Sequence, residues 1–264
     1  MFCLGMDAVR SDIILKQNTE GKRVRECALS PSPQQDSEPN DAKEDLQWDM
    51  ELVLVRHGTT SWNKERRYLG HADLSLLSGA EQELKPLREK LQGQSFAQIY
   101  CSDLMRCRQT LQIILPESAL TTERSLSAMP PIMEPRLREL HFGEWDGKTY
   151  DMLKDVALYR AWIDEPQRIT PPGGESWVHF VNRLREFRDS LFAWRIALEV
   201  QPIELNAAPP SVLVVTHGGV IRQLVCMLIP GHDFWRLNPK PGEAIRLQLR
   251  LAGLHNCIAK LLFH

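Results

Sequence analysis

The sequence predicts an α/β fold: a three-layer sandwich in which a mostly parallel sheet carries helices on both faces. Three observations predict it. Residues 52–55, Leu-Val-Leu-Val, and residues 212–215, Val-Leu-Val-Val, are continuous apolar runs with β-branched members, as suits interior parallel strands covered on both sides. Helical patterns alternate with such runs along most of the chain. Both runs break abruptly into chemistry, Arg56-His57-Gly58 after the first and Thr216-His217-Gly218-Gly219 after the second. Ligands of open α/β sheets sit beyond the carboxyl ends of the strands, so two strands deliver two histidines to one sheet edge.

The elements follow in order. Residues 1–49 are polar, and 30–49 collect Pro, Ser, Gln, Asn and acidic side chains without apolar periodicity. They are expected to form a disordered N-terminal extension ahead of one folded domain over 50–264. After the Arg-His-Gly strand, residues 64–77 read as a polar loop containing Tyr68, Gly70 and Asp73. Ser78 is expected to cap a helix carrying Leu84, Leu87 and Leu91, with Glu81 completing a capping box. A short strand is expected at 97–101, then a helix opened by Ser102-Asp103, carrying Arg106, Leu111 and Ile114 and stopped by Pro116.

Residues 123–145 are irregular, because Pro130, Pro131 and Pro135 prevent a long helix, and they end in Arg-Glu-Leu-His-Phe-Gly-Glu-Trp at 138–145. Loops of such composition often carry function. Residues 150–162 read as one helix. The Pro-Pro-Gly-Gly-Glu-Ser turn at 171–176 launches a long amphipathic helix with Trp177, Phe180, Val181, Leu184, Phe187, Leu191 and Trp194 on its core face. A loop over 201–211 leads to the second buried strand. A helix over 220–228 follows, then an edge hairpin of 244–251 with 258–263.

Composition bounds the function. With 43% hydrophobic residues in 264, the chain can bury a sizeable core. Lys and Arg total 32 against 34 Asp and Glu, a net charge of −2, so no global basic field favours nucleic acid or an anionic membrane. Any anion site must be local. The six cysteines show no C-x-x-C spacing, which argues against structural zinc and disulfides. No apolar run approaches the roughly 18 residues of a membrane span, and the start lacks the apolar core of a signal peptide. A cytoplasmic protein is expected; its oligomeric state is not legible.

Two histidines with Arg56 and Arg106 at strand ends make a pocket of high positive charge density, whose natural guest is a phosphate. Arginine matches phosphate oxygens bidentately, and Thr60 and Asn63 could add donors. A metal is the rival guest for paired histidines, but adjacent arginines repel a cation and no carboxylate-rich ligand set accompanies them. No metal or other cofactor is expected.

Six motifs now stand in one order: Arg56-His57-Gly58-Thr59-Thr60 with Asn63; Tyr68-Leu-Gly-His-Ala-Asp73; Ser102-Asp103-Leu104-Met105-Arg106; Glu139 with Phe142-Gly143-Glu144-Trp145; Gly173-Gly174-Glu175-Ser176; and Thr216-His217-Gly218-Gly219. Together they resemble the histidine phosphatase superfamily, also called phosphoglycerate mutase-like, from about Met50 to the C-terminus. The resemblance implies that His57 is the nucleophile and becomes phosphohistidine, and that Arg56, Arg106 and His217 hold the transferring phosphoryl. It also implies that Thr60 and Asn63 add neutral donors and that Glu139 is the general acid and then the base for water. Gly218, Tyr68 and Glu175 are assigned to substrate binding in the same way, and Glu144 and Glu175 are the alternatives to Glu139 as acid.

Physical chemistry sets conditions on these roles. Phosphoryl transfer spreads charge over three equatorial oxygens, so catalysis is mostly positioning and electrostatic stabilisation. His57 must present an unprotonated ring nitrogen while an acceptor such as a backbone carbonyl holds its other N–H. Glu139 must carry a proton when the ester bond breaks, which burial or the anionic substrate would favour. The remaining histidines have blander readings: His71, His141 and His232 as loop surface, His179 as a structural helix residue. Cys101 and Cys107 read as small buried hydrophobes, and residues 64–67 as a solvated charged face.

Departures from the family pattern narrow the reading. Thr59 stands where an acidic residue is common, and the segment from Glu139 to Gly173 is shorter than the insert of the glycolytic mutases. The compact body looks most like the small bacterial phosphatases, including the α-ribazole phosphatase type. A phosphomonoesterase for a small phosphate ester, such as α-ribazole 5'-phosphate, is the first expectation. A phosphoglycerate mutase and a non-catalytic phosphate-sensing module are the alternatives.

Overall fold

A computed structural model describes residues 48–115, 130–198 and 208–262. The expected disorder of the N-terminal extension, the stop at Pro116 and most of the 201–211 loop lie outside the described residues. Six strands, β1 (Met50–Arg56), β2 (Gln98–Cys101), β3 (Ile132–Met133), β4 (Ser211–Thr216), β5 (Ala244–Leu251) and β6 (Cys257–Leu262), form one sheet in the order β3-β2-β4-β1-β5-β6. The first four strands of that order run parallel; β5 is antiparallel to β1 and to β6. The sheet is therefore mixed, a parallel block extended by the expected hairpin.

The apolar runs form interior strands because both of their faces are covered. Leu52 and Leu54 of β1, with Val212 and Val214 of β4, point into one core layer, and Val53, Val55, Leu213 and Val215 point into the other. This is the two-residue period of a strand read out as two cores. On the second face lie α2 (Ala80–Leu91) and α3 (Met105–Ile114); on the first lie α6 (Trp177–Leu198) and α7 (Gly218–Leu228). The α6 stripe behaves as expected, with Phe180, Leu184, Phe187 and Leu191 buried, whereas His179 is exposed rather than structural.

Three local expectations are corrected. The cap of α2 is Gly79 at φ 92°, with no side-chain hydrogen bond, so neither Ser78 nor a capping box opens that helix. The left-handed conformation there suits glycine, which lacks the Cβ that would clash. Residues 61–64, for which no helix is expected and of which Lys64 opens the expected loop, form a short helix α1 (Ser61–Lys64). The single helix expected over 150–162 is two, α4 (Tyr150–Leu153) and α5 (Ala157–Asp164), separated where Val156 takes an extended conformation. The break follows from burial. In a continuous helix Leu153 and Trp162 would face about 180° apart at 3.6 residues per turn, yet both are buried in one core.

That core includes an aromatic cluster. Tyr68, Phe142, Trp145, Tyr159 and Trp162 meet at ring-centroid distances of 5.0–6.1 Å. It pins the loop after α1 and the 142–145 turn against α5, beside the carboxyl ends of the strands. Among the described residues no helix is long and apolar enough to cross a membrane.

Candidate active site

Sheet register places the two histidines. β1 pairs with β4 so that Arg56 lies opposite Thr216, and the His57 N–H donates to Thr216 O at 2.9 Å. His57 and His217 therefore leave neighbouring parallel strands at the same level, with ring centroids 5.1 Å apart at 63°. The pair is buried, at 3% and 0% exposure.

Each ring has a defined tautomer. His57 Nδ1 lies 2.7 Å from Gly58 O. A carbonyl only accepts, so Nδ1 carries the hydrogen and Nε2 keeps its lone pair. His217 receives the Arg106 Nε–H on Nδ1 at 3.3 Å, which leaves its Nε2–H to donate to Ser102 Oγ at 2.9 Å. Burial holds His57 well below its ordinary pKa of 6.5, and the cations Arg106 and Arg56 lower it further. His217 is lowered in the same direction by burial first and then by Arg106. Both imidazoles are neutral.

Arg106 comes from the first turn of α3 and is fully buried. Helix α3 has no cap from its own N-cap residue Leu104; Asp73 Oδ1 accepts the Met105 N–H at 2.6 Å instead. The same loop takes the guanidinium, which donates through Nη1 to Ala72 O at 2.8 Å and through Nη2 to Gly70 O at 2.7 Å. Asp146 fixes the loop from the other side, accepting from Gly70 N at 2.6 Å and His71 N at 3.2 Å. With Nε on His217, three of the five guanidinium N–H groups have partners, leaving two for a ligand oxygen. Arg56 donates from Nη1 to Pro239 O at 2.7 Å and lies against Gly218, where a Cβ would stand 3.4 Å from its Cζ.

Glu139 reaches the site from an irregular segment. Its carboxylate accepts Leu140 N at 3.0 Å on Oε1 and Gly219 N at 2.9 Å on Oε2, at the N-terminus of α7. Gly219 must be glycine for this approach, since a Cβ would stand 2.4 Å from Oε1. Arg56, His57, Arg106, His217, Glu139 and Gly218 are thus gathered where β1, β4 and the amino ends of α3 and α7 meet. Positive groups, a neutral imidazole with a free lone pair and a buried carboxyl make an anion site equipped for nucleophilic attack and proton transfer.

Four residues expected to touch substrate make these contacts within the protein. Thr60 and Asn63 form the capping box of α1: Asn63 Oδ1 accepts the Thr60 N–H and hydroxyl, both at 3.0 Å, and Thr60 Oγ1 accepts Asn63 N at 3.3 Å. The Thr60 proton is used in the cap, so the Asn63 amide nitrogen is the donor that this turn can offer a ligand. Tyr68 is buried in the aromatic cluster, its hydroxyl 2.7 Å from that of Tyr159. The Glu175 carboxylate is taken by Arg183, at 2.7 and 2.8 Å.

Other residues matter that had no expected role. Ser102 orients His217, Asp146 holds the Arg106 loop, and Gly219 admits Glu139. All three lie in or beside the sequence motifs, so their position was a signal although their function was not. His71, expected at the surface, donates from Nε2 to Glu139 O at 2.9 Å and lies 4.6 Å from the His141 ring at a tilt of 38°, and burial lowers its pKa to about 4. Burial pushes the Cys107 thiol up to about 12, consistent with an inert side chain. Among the described residues no group of three or more His, Cys, Asp or Glu converges as a metal site.

Known proteins resemble this chain over the same region. The sequence model of the histidine phosphatase superfamily (branch 1) matches residues 52–254. An adenosylcobalamin/α-ribazole phosphatase of Escherichia coli K12 is 30% identical over 211 residues, covering 78% of this chain and 94% of that protein. Phosphoglycerate mutase-like protein 4 of Arabidopsis thaliana is 32% identical over 177 residues, 66% and 69% of the two chains. Among solved structures, the α-ribazole phosphatase of Shigella flexneri superposes with a TM-score of 0.62 at 25% identity, covering 81% of this chain and 95% of that one.

Proposed function

Because this chain belongs to the histidine phosphatase superfamily, we propose that it is a phosphomonoesterase that hydrolyses a small phosphate ester through a phosphohistidine at His57. The observation that carries the reading is the bond from His57 Nδ1 to Gly58 O, which leaves Nε2 as the nucleophilic lone pair beside two arginines.

The reaction has two steps. His57 Nε2 attacks phosphorus as the P–O ester bond breaks, and Glu139 gives its proton to the departing alkoxide. Arg56, Arg106 and the amide of Asn63 stabilise the equatorial oxygens, and His217 joins them by exchanging Ser102 for a phosphoryl oxygen. Glu139, now a carboxylate, takes a proton from water, whose oxygen attacks the phosphohistidine. The P–N bond breaks, releasing inorganic phosphate and neutral His57. No step requires a metal.

The substrate proposed is α-ribazole 5'-phosphate, an alkyl phosphate on an uncharged nucleoside-like body. The names of the Escherichia coli and Shigella flexneri relatives support it. Turnover of that ester, 3-phosphoglycerate and a set of sugar and nucleoside phosphates, each with magnesium and with EDTA, tests the reading. Metal-independent release of phosphate is expected; isomerised phosphoglycerate identifies a mutase, no turnover a sensing module. His57→Ala is expected to form no acid-labile phosphoenzyme, and label persisting in that variant would remove His57 from the mechanism.

A further inference from the structure

Arg183 lies on the second turn of α6, outside every sequence motif. Its guanidinium gathers the segment that carries Glu139. Nη1 donates to Arg136 O at 2.5 Å and Arg138 O at 2.7 Å, and Nη2 donates to Glu139 O at 3.0 Å. The remaining N–H groups go to the Glu175 carboxylate, Nε to Oε1 at 2.7 Å and Nη2 to Oε2 at 2.8 Å. All five donors of the fork are therefore used. The group also sits 4.9 Å over the ring of the buried Phe180, which fixes it from below.

Resting on the reading of Glu139 as proton donor, we propose that Arg183, held by Glu175, is the positioning residue that sets the Glu139 carboxyl at the reacting ester oxygen. The segment from 136 to 139 runs from a 3-10 turn over Pro135–Leu137 into extended backbone that belongs to no strand, tied to β4 through the Thr216 hydroxyl, which donates to Leu137 O at 2.8 Å. It has no ladder of its own to fix the other three carbonyls. Those three converge on one planar cation instead. The Glu139 carbonyl receives a second donor, His71 Nε2 at 2.9 Å, so the backbone of the acid is pinned from two sides while Leu140 N and Gly219 N hold its carboxylate.

With every donor engaged, Arg183 has none for substrate and acts through Glu139. A lysine cannot reproduce the arrangement, because three rotatable donors on a point charge do not span three carbonyls and a carboxylate. Glu175 supplies the countercharge and also ties the turn before α6 to the segment, through Glu175 N to His141 O at 2.9 Å.

The test compares leaving groups. Protonation matters for an alkoxide and little for p-nitrophenolate, so a misplaced acid slows alkyl esters selectively. Phosphoenzyme formation in a single turnover of the full chain is measured with ribose 5-phosphate and with p-nitrophenyl phosphate. Arg183→Met is expected to slow the alkyl ester about 10- to 100-fold, part of the range of general acid catalysis, and the aryl ester less than about 3-fold. Arg183→Lys should recover a portion of the alkyl rate. Glu175→Gln, which keeps the shape and removes the charge, should show the same selectivity in milder form and serves if Arg183→Met does not fold. In a Glu139→Gln background, Arg183→Met should cost no more than about 2-fold further, because residues acting as a unit are non-additive.

Equal losses on both esters from Arg183→Met or Glu175→Gln, or full additivity with Glu139→Gln, would overturn the proposal. The two readings separate cleanly. A Glu139→Gln variant without leaving-group selectivity overturns the acid assignment and this inference with it. A selective Glu139→Gln beside an unselective Arg183→Met overturns the inference alone.

Discussion

The proposed phosphate side and the proposed acid side of the site are built by different means. His57 and His217 leave adjacent strands of a sheet whose register sets their height, and both are at most 3% exposed. Glu139 sits in a segment without strand or α-helix, kept in shape by ion pairs: Glu134 with Arg136, Asp103 with Arg138 and Glu175 with Arg183. Backbone pairing fixes the first region almost irrespective of which apolar side chains fill the strands. In the second, individual side chains do that job. Sensitivity to mutation should therefore be concentrated in a few reacting groups on the phosphate side and spread over supporting residues on the acid side.

Removing a donor from the phosphate side gives the largest effect short of losing His57 itself. Arg106→Ala is expected to lower kcat about 100- to 1,000-fold, the usual loss for one oxyanion donor. It also leaves the Gly70 and Ala72 carbonyls without their partner and His217 Nδ1 without its donor. Steady-state turnover of ribose 5-phosphate and p-nitrophenyl phosphate checks it, and similar losses with both esters are expected because both leaving groups need the same charge stabilisation. A loss confined to the alkyl ester would mean that Arg106 acts on the acid side.

A smaller effect separates two adjacent glycines. A Cβ on Gly219 would stand 2.4 Å from Glu139 Oε1, whereas one on Gly218 meets the Arg56 guanidinium at 3.4 Å, an ordinary contact. Gly219→Ala should push the carboxyl away and slow alkyl esters about 10-fold, a fraction of the general-acid contribution, with p-nitrophenyl phosphate little changed. Gly218→Ala should stay within about 3-fold on both, because a contact at van der Waals distance needs little adjustment. Equal behaviour of the two variants would break the contrast between the sides at its point of closest approach.

The same division decides what was legible in the sequence. Residues 52–55 and 212–215 announce interior strands, because a strand buried on both faces has a short and distinctive code. The histidines after them inherit their positions from those strands. Thr60 and Asn63 are different: a threonine followed three residues later by asparagine suits a phosphate cradle and a helix cap equally well, and only the fold shows the cap. Tyr68 reads as a polar tip in a loop until Tyr159, 91 residues away, supplies its partner. Nothing local distinguishes Arg183 from the other arginines of α6, since its meaning lies in carbonyls 44 to 47 residues distant.

Acid should take the two sides apart in sequence, through a smaller effect read as stability. Burial, aided by Arg106, holds His57 and His217 well below 6.5, so in the folded chain they remain neutral where the unfolded chain already binds protons. The stability this contributes is fully present above pH 6.5 and is lost as pH falls towards the folded values. Each buried histidine adds a slope of up to about 1.4 kcal/mol per pH unit in that window. Asp103 is lowered below its ordinary 3.8 chiefly by its hydrogen bonds from Arg138, so its contribution persists until the pH falls below that value. Urea unfolding at pH 7.5, 6.0 and 5.0 should show wild-type stability falling from 6.5 downward, a shallower fall in His57→Asn, and no change of slope there in Asp103→Asn. A wild-type stability that stays flat from pH 7.5 to 5.0 would mean that the histidines are not buried neutral. A slope flattened by Asp103→Asn rather than by His57→Asn would place the acid-sensitive charge on the wrong side of the site.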